Sequence, residues 1–302
     1  MKNFLYLIYL LLLMACLLTP LLARAETDEI SWSIQPRLTA GLMNYRFEYG
    51  FNAPNANQSS QTFNDYMPFM TAGAMLTYNN CFADTYFQQS VTGKDDLENK
   101  PGTELTFNTN NEFDRRDYAL TLGCQAHKNV LFFAGYKAGQ TDIQMASTKN
   151  WHYERIDESG TGTAEFESDG FFIGAAYTYP FGKGLDERLL SVKVALAKLD
   201  AEYHQHNSIT RNNRAVGDGS TTFDDDWFLS GNTLGWTAGV SLTDRISFFK
   251  NHLYYRISLD YFDYDFDVDS AYLGITPVGN AEYEMKESMF SLQLQVFYPF
   301  QF

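Results

Sequence analysis

SLQLQVFYPFQF, residues 291–302, alternates without a break. Counting back from Phe302, one face carries Phe302, Phe300, Tyr298, Val296, Leu294, Leu292 and Phe290. The other carries Gln301, Pro299, Phe297, Gln295, Gln293 and Ser291. A period of two belongs to a β-strand, because successive Cβ atoms leave a strand on opposite faces. A sheet in water and a barrel in a membrane both alternate, with the two faces used in opposite senses. The rest of the chain has to say what lies on the apolar side.

The first residues set the compartment. Lys2 precedes an apolar run from Phe4 to Leu22 that closes on Leu-Leu-Ala-Arg-Ala. Ala23 and Ala25 around Arg24 fit an A-x-A cleavage site, so residues 1–25 read as an export signal and 26–302 as a single mature barrel domain. Pro20 and the small residues favour this over an uncleaved anchor. Leu13-Met14-Ala15-Cys16 resembles a lipoprotein cleavage box, but it contains a methionine and more apolar residues follow Cys16.

Of the 22 Lys+Arg, removal of the signal takes away Lys2 and Arg24 and no acid, leaving 20 basic residues against 37 acidic ones, a formal charge of −17. That balance argues against nucleic acid as a partner. Two cysteines remain, Cys81 and Cys124, in an oxidising compartment. No later apolar run reaches the length of a membrane helix, so any crossing has to be made by alternating strands.

Ten segments read as strands: 31–50, 66–79, 81–91, 113–124, 129–145, 169–181, 188–203, 232–244, 251–268 and 282–302. In 188–197, Leu190, Val192, Val194 and Leu196 oppose Ser191, Lys193, Ala195 and Ala197. Short links at 79–80, 125–128, 180–187 and 244–251 alternate with long polar links at 51–62, 92–112, 146–165, 204–226 and 269–281. An up-and-down transmembrane β-barrel has this asymmetry, with short periplasmic turns and long external loops. The expected fold is therefore all-β and antiparallel, with about ten strands.

The face opposite the large apolar residues is rich in Gly, Ser, Thr and Gln and includes Arg37, Lys137, Lys193, Arg256, Asp117 and Asp260, which marks it as the lumen. Gly41, Gly73, Gly135, Gly139, Gly174, Gly235 and Gly239 fall on that face, where they are expected to permit tight curvature. The parity of the apolar set changes in three places. Leu42 gives way to Tyr45, Leu196 to Leu199, and Tyr261 to Tyr264, each toward a long-loop end. These changes predict β-bulges where the walls leave the bilayer and extend outward.

The terminal stretch resembles the C-terminal aromatic signature of Gram-negative outer-membrane proteins, carried here by Phe302, Phe300, Tyr298, Val296 and Leu294. The resemblance implies the bacterial outer membrane as location, with the barrel-assembly machinery, outer-membrane lipid and lipopolysaccharide as partners. Ten strands with protruding walls are similar to the omptin family of surface endoproteases. Lys100-Pro101-Gly102-Thr103 and Asn111-Glu112-Phe113-Asp114 look like omptin passages, and Glu202-Tyr203-His204 has a carboxylate-x-imidazole spacing. The family uses two aspartates on one wall and an Asp-x-His pair on the facing wall to activate a water. The resemblance thus implies Asp95, Asp96, Glu202 and His204 as a catalytic set. The chain departs from the pattern in its Glu202 and in the adjacency of Asp95 and Asp96.

Three further groups stand out. Cys81 opens the third strand and Cys124 closes the fourth, so hairpin pairing predicts a disulfide at the periplasmic rim. Asp224, Asp226, Asp263 and Asp265 lie toward the outer ends of neighbouring strands, a possible Ca²⁺ site at the external rim; the simpler reading is a solvated acidic rim, with no cofactor. Of the histidines, His127, His152, His204, His206 and His252, only His204 and His206 share a face, too few to hold a metal. The expected function is non-enzymatic, a porin-like small-solute pore or a surface-contact or structural barrel with a narrow polar lumen; the alternative is an omptin-like endoprotease or other surface hydrolase.

Overall fold

The computed structural model describes residues 32–52, 59–98, 105–151, 156–182, 188–213, 220–246, 253–274, 276–277 and 282–301. Residues 1–25, read above as an export signal, lie outside these, as do Phe302, His152 and His252. The strands are β1 (Trp32–Asn52), β2 (Ser59–Tyr78), β3 (Cys81–Ser90), β4 (Gly93–Glu98), β5 (Leu105–His127), β6 (Val130–Trp151), β7 (Ile156–Phe181), β8 (Arg188–Asn213), β9 (Ser220–Arg245), β10 (Tyr254–Leu273), β11 (Thr276–Pro277), β12 (Glu282–Phe297) and β13 (Phe300–Gln301). Each long strand pairs antiparallel with its sequence neighbour, and β12 pairs with β1 to close the ring. β4 continues the wall begun by β3, and β13 continues β12 along β1 at Ser33 and Ile34. The described residues thus form ten walls of one barrel.

All ten expected strands are present, and several reach far into segments read as loops. β7, β8 and β9 each run for 26 residues. Polar stretches such as Ser159–Thr163 and Ser208–Thr210 pair along the ladder even though they lack an apolar alternation. Turn chemistry is visible at the short links, where Asn79 adopts a positive φ of 51°.

The expected bulges at the three parity changes are absent. β1 keeps one register with β2 and with β12 through Leu42, Met43 and Tyr45, and β8 keeps one register through Leu196 and Leu199. What changes is the surroundings. Leu38 and Leu42 face outward, 65% and 50% exposed, whereas Met43, Tyr45 and Phe47 face inward and are fully buried. Above that level the outward positions of β1 become Asn44, Arg46 and Glu48. Within the bilayer the outside must be apolar; above it the outside meets water, so the apolar set moves to the inside. True register shifts lie elsewhere: higher on β10 between Val268 and Ser270, and at the short-turn end of β5 between Gln125 and His127.

The level of the switch can be followed round the barrel. Outward apolar residues end at Leu42, Tyr66, Tyr118, Phe171, Leu196, Leu234, Tyr261 and Phe290. Several are aromatic, as at a membrane interface. The lumen glycines are inward as expected, but their task is packing more than curvature. Gly135 lies in register with Phe172, and the rings of Phe172 and Tyr264 lie over Gly135 and Gly235, so that a methyl on either glycine would collide with its ring.

Cys81 and Cys124 are direct register partners, Cα–Cα 4.0 Å, and are joined by a disulfide.

Val194→Arg, at the lipid-facing middle of β8, is expected to destabilise the barrel by about 2–4 kcal/mol. Glu202→Arg, on the same outward row above the belt, is expected to change stability by less than about 0.5 kcal/mol. Urea titration of the folded barrel in lipid vesicles measures both.

Candidate functional site

The lumen is filled in layers. The outer half holds the apolar core. Phe47 stacks near Phe166 (ring centroids 4.3 Å apart) and Tyr203 (5.5 Å), Phe63 meets Phe113 (6.1 Å), and Phe166 meets Phe266 (5.8 Å). These rings come from β1, β2, β5, β7, β8 and β10, so they span the barrel instead of lining one wall. Phe47, Phe63, Phe166 and Tyr203 have no solvent exposure. Toward the outer mouth this core is covered by polar contacts: Tyr49 Oη lies 2.7 Å from Gln61 Oε1 and 2.6 Å from Gln205 Oε1, and Gln205 Nε2 donates to Asn207 Oδ1 at 2.8 Å. Burial pushes the Tyr49 hydroxyl up to about 12.

A charged layer underlies the aromatic core. Arg115, the largest fully buried side chain, donates from Nη2 and Nε to Asp117 (2.8 and 3.0 Å), and Nη1 contacts Glu287. Tyr45 Oη and Thr141 Oγ1 lie 3.2 and 3.1 Å from Nη1. Gln88 Nε2 donates to Asp117 at 3.2 Å. The guanidinium ties β5 to β12 across the lumen, and it also faces the rings of Tyr45 (4.9 Å) and Phe262 (5.8 Å). Lys137 approaches Phe262 as well, at 4.6 Å. Lower down, Arg37 pairs with Asp84 and Lys193 with Asp260. The lumen charges read from the sequence, Arg37, Lys137, Lys193, Arg256 and Asp260, therefore all face inward. Arg115 and Glu287 were missed. The period of two carried the signal for the first, since Arg115 stands two residues before Asp117, already assigned to the lumen.

The outer wall carries the second feature. Glu165 and Glu167 on β7, Glu202 and His204 on β8, and Asp226, Trp227 and Phe228 on β9 line a groove of about 280 Å³ that ends at Gly274. Register explains the grouping: Glu165 pairs with His204, Glu167 with Glu202, and His204 with Phe228. The Glu167 carboxyl is held above the ordinary carboxylate range, first by desolvation and then by Glu165, Glu202 and Asp169. His206 hydrogen-bonds Asp226 at 2.7 Å, and this bond, with Asp224 and Asp225 nearby, keeps the imidazolium favoured above its usual range.

The residues implied by the omptin resemblance do not converge. Ala201, Tyr203 and Gln205 are buried inside the barrel, so Glu202 and His204 point out of the wall. Asp95 and Asp96 lie on β4 opposite Asn111 and Asn110, several walls from β8, and Asp95 Oδ2 accepts from the Asn64 backbone N–H. The possible Ca²⁺ site is likewise not assembled. In the β9–β10 ladder Asp263 pairs with Trp236, and the run from Trp236 up to Asp226 spans about 34 Å at ~3.4 Å per residue. Asp224 and Asp226 are therefore far above Asp263 and Asp265, and Asp265 is beside Lys286 instead (4.0 Å). Among the described residues no group of three or more His, Cys, Asp or Glu could hold a metal ion.

Neither the family models nor the curated proteins compared with the chain match it. Solved structures do. The chain is similar to the outer membrane protease OmpT from Escherichia coli, with a TM-score of 0.58 at 9% identity over 90% of this chain and 99% of that one. Looser likenesses are the Pseudomonas putida toluene transporter TodX (TM-score 0.40, 8% identity, 87% and 89% covered) and the translocator domain of the autotransporter NalP from Neisseria meningitidis (0.33, 11%, 99% and 99%). At these identities the likeness is one of fold. The chain has the fold of an antiparallel transmembrane β-barrel, the fold it shares with these outer-membrane proteins.

Arg115→Ala is expected to cost about 3–5 kcal/mol, because it leaves Asp117 and Glu287 buried without their cation; the urea midpoint of the folded barrel measures it. Glu167→Gln tests the outer groove. A raised carboxyl favours folding only while protonated, a contribution lost as pH rises through the folded value. The variant is therefore expected to be as stable as the parent below about pH 4 and more stable at neutral pH.

Proposed function

We propose that this outer-membrane barrel is closed to solutes and acts through contacts made by its extracellular walls. The observation that carries the reading is the fully buried aromatic core, which occupies the lumen between all sides of the barrel. A solute would have to displace close-packed rings and then the Arg115 layer, whose two carboxylates come from different walls. A side chain such as Phe166 gains about 1.5–3 kcal/mol from burial, so several of them moving aside together is a large barrier.

The walls above the bilayer are the remaining accessible surface, and β7, β8 and β9 supply the most of it. Their groove combines carboxylates with Trp227 and Phe228. Carboxylates and aromatic faces both attract cations, so the contact surface suits a basic group on a partner. The −17 charge of the mature chain would draw such a partner and repel acidic ones.

A surface hydrolase is the second reading, and one observation favours it: His204 shares the groove with Glu165, Glu167 and Glu202, which could orient an imidazole as a general base. Cleavage of basic peptides by intact cells, abolished by His204→Ala, would support this reading and displace the first.

Planar-bilayer recordings of the parent barrel are expected to show no stepwise conductance, and steps in the parent would overturn closure.

A further inference from the structure

Below the aromatic core the inward charges do not cancel. Arg37 is matched by Asp84 at 2.5 Å, and Lys193 by Asp260 at 2.8 Å, where Gln293 Nε2 also donates at 2.6 Å. Lys137 lies against the rings of Phe262 and Tyr264 and donates to Tyr264 Oη at 3.0 Å. Arg256 is left over. Its Nε donates to Thr243 Oγ1 at 3.0 Å and its guanidinium lies 5.5 Å from the centre of the Phe297 ring, with no carboxylate at ion-pair distance among the described residues. Arg37 pairs in register with the same Phe297, so two guanidinium-bearing positions flank that ring.

This part of the lumen is wet. Lys193 points inward, yet its side chain is 47% exposed, and Ser33, Gln35, Thr178, Ser191 and Gln295 keep intermediate exposure. The short-turn end is the periplasmic one, and the aromatic core blocks the other. The ladders β9–β10, β10–β12 and β12–β1 are continuous at the level of Arg256, so a lipid headgroup has no lateral way in.

We propose that the periplasmic half of the lumen is a blind vestibule that binds one small soluble anion, a phosphate or carboxylate, on Arg256, with Lys193 and Arg37 as supporting cations. An unmatched guanidinium inside a barrel is costly without a counter-charge, and its planar fork suits an oxyanion. Asp84 and Asp260 hold the other two cations in place and limit the site to a single negative ligand. The site is independent of whatever the extracellular walls contact.

Calorimetric titration of the folded barrel in uncharged detergent at low ionic strength, with inorganic phosphate and separately with acetate, tests this. Saturable binding of one anion per barrel is expected, weakened about ten-fold or more by Arg256→Gln, as for loss of one charge-assisted hydrogen bond. Arg46→Gln, at an exposed extracellular position, is expected to leave it unchanged. Absence of saturable heat in the parent, or an Arg256→Gln affinity within about two-fold of it, overturns the proposal. If Arg256→Gln does not fold, Lys193→Gln replaces it, with weakened binding expected and unchanged binding overturning the site.

Discussion

A β-strand cannot exchange its two faces without an inserted residue, yet every wall of this barrel passes from lipid into water. That constraint organises the molecule. In the bilayer the outward row must be apolar and the inward row is free to be polar; above it the demands reverse while the register stays fixed. The sequence answers by moving its large apolar residues from Leu38, Ala40 and Leu42 to Met43, Tyr45 and Phe47 within one uninterrupted strand. The aromatic core inside the barrel is thus the price of building walls tall enough to leave the membrane. It gives the extracellular half a soluble-protein interior, and it closes the lumen in doing so.

The ionic layer belongs to the same boundary. Where the lumen turns from polar to apolar, Arg115 joins β5 to β12 through Asp117 and Glu287, with Tyr45 and Thr141 completing its bonds. A buried guanidinium with two carboxylates is poor value for stability compared with a hydrophobic replacement, but it specifies which walls face each other. Here it fixes the distance across the barrel at the level where the rings above must interdigitate. The rings of Tyr45 and Phe262 against its face connect the two layers mechanically.

Much of this was legible in the sequence. Alternation gave the strands, link lengths gave their direction, and the sidedness of Arg37, Lys193 and Asp260 followed from period two. The parity changes were visible too, but a periodicity that slips by one residue has two physical causes. One is an extra residue in the strand, and the other is a change of medium around an unbroken strand. Residues 43–49 separate them: Asn44, Arg46 and Glu48 occupy the abandoned face, which a bulge would not require. The upper walls were read as loops because Ser, Thr, Asn and Gly stretches such as 159–163 lack the apolar row on which strand assignment depends, and backbone pairing to neighbours supplies what composition does not. Asp224 and Asp226 were grouped with Asp263 and Asp265 because strand adjacency was known while register was not.

Glu202-Tyr203-His204 shows the same limit at the scale of one motif. Spacing of i, i+2 guarantees that a carboxylate and an imidazole share a face, but it does not say which face. The residue between them does. Above the bilayer the interior is the apolar side, so Tyr203 goes in, where it packs 5.5 Å from Phe47 and 4.4 Å from Tyr49, and its neighbours must go out. For the pair to face the lumen, Tyr203 would have to be exposed and the core would lose one of its largest rings. The identity of the intervening residue therefore ties the position of a candidate site to the packing of the core, and it directs the chemistry of this segment to the outer surface of the wall.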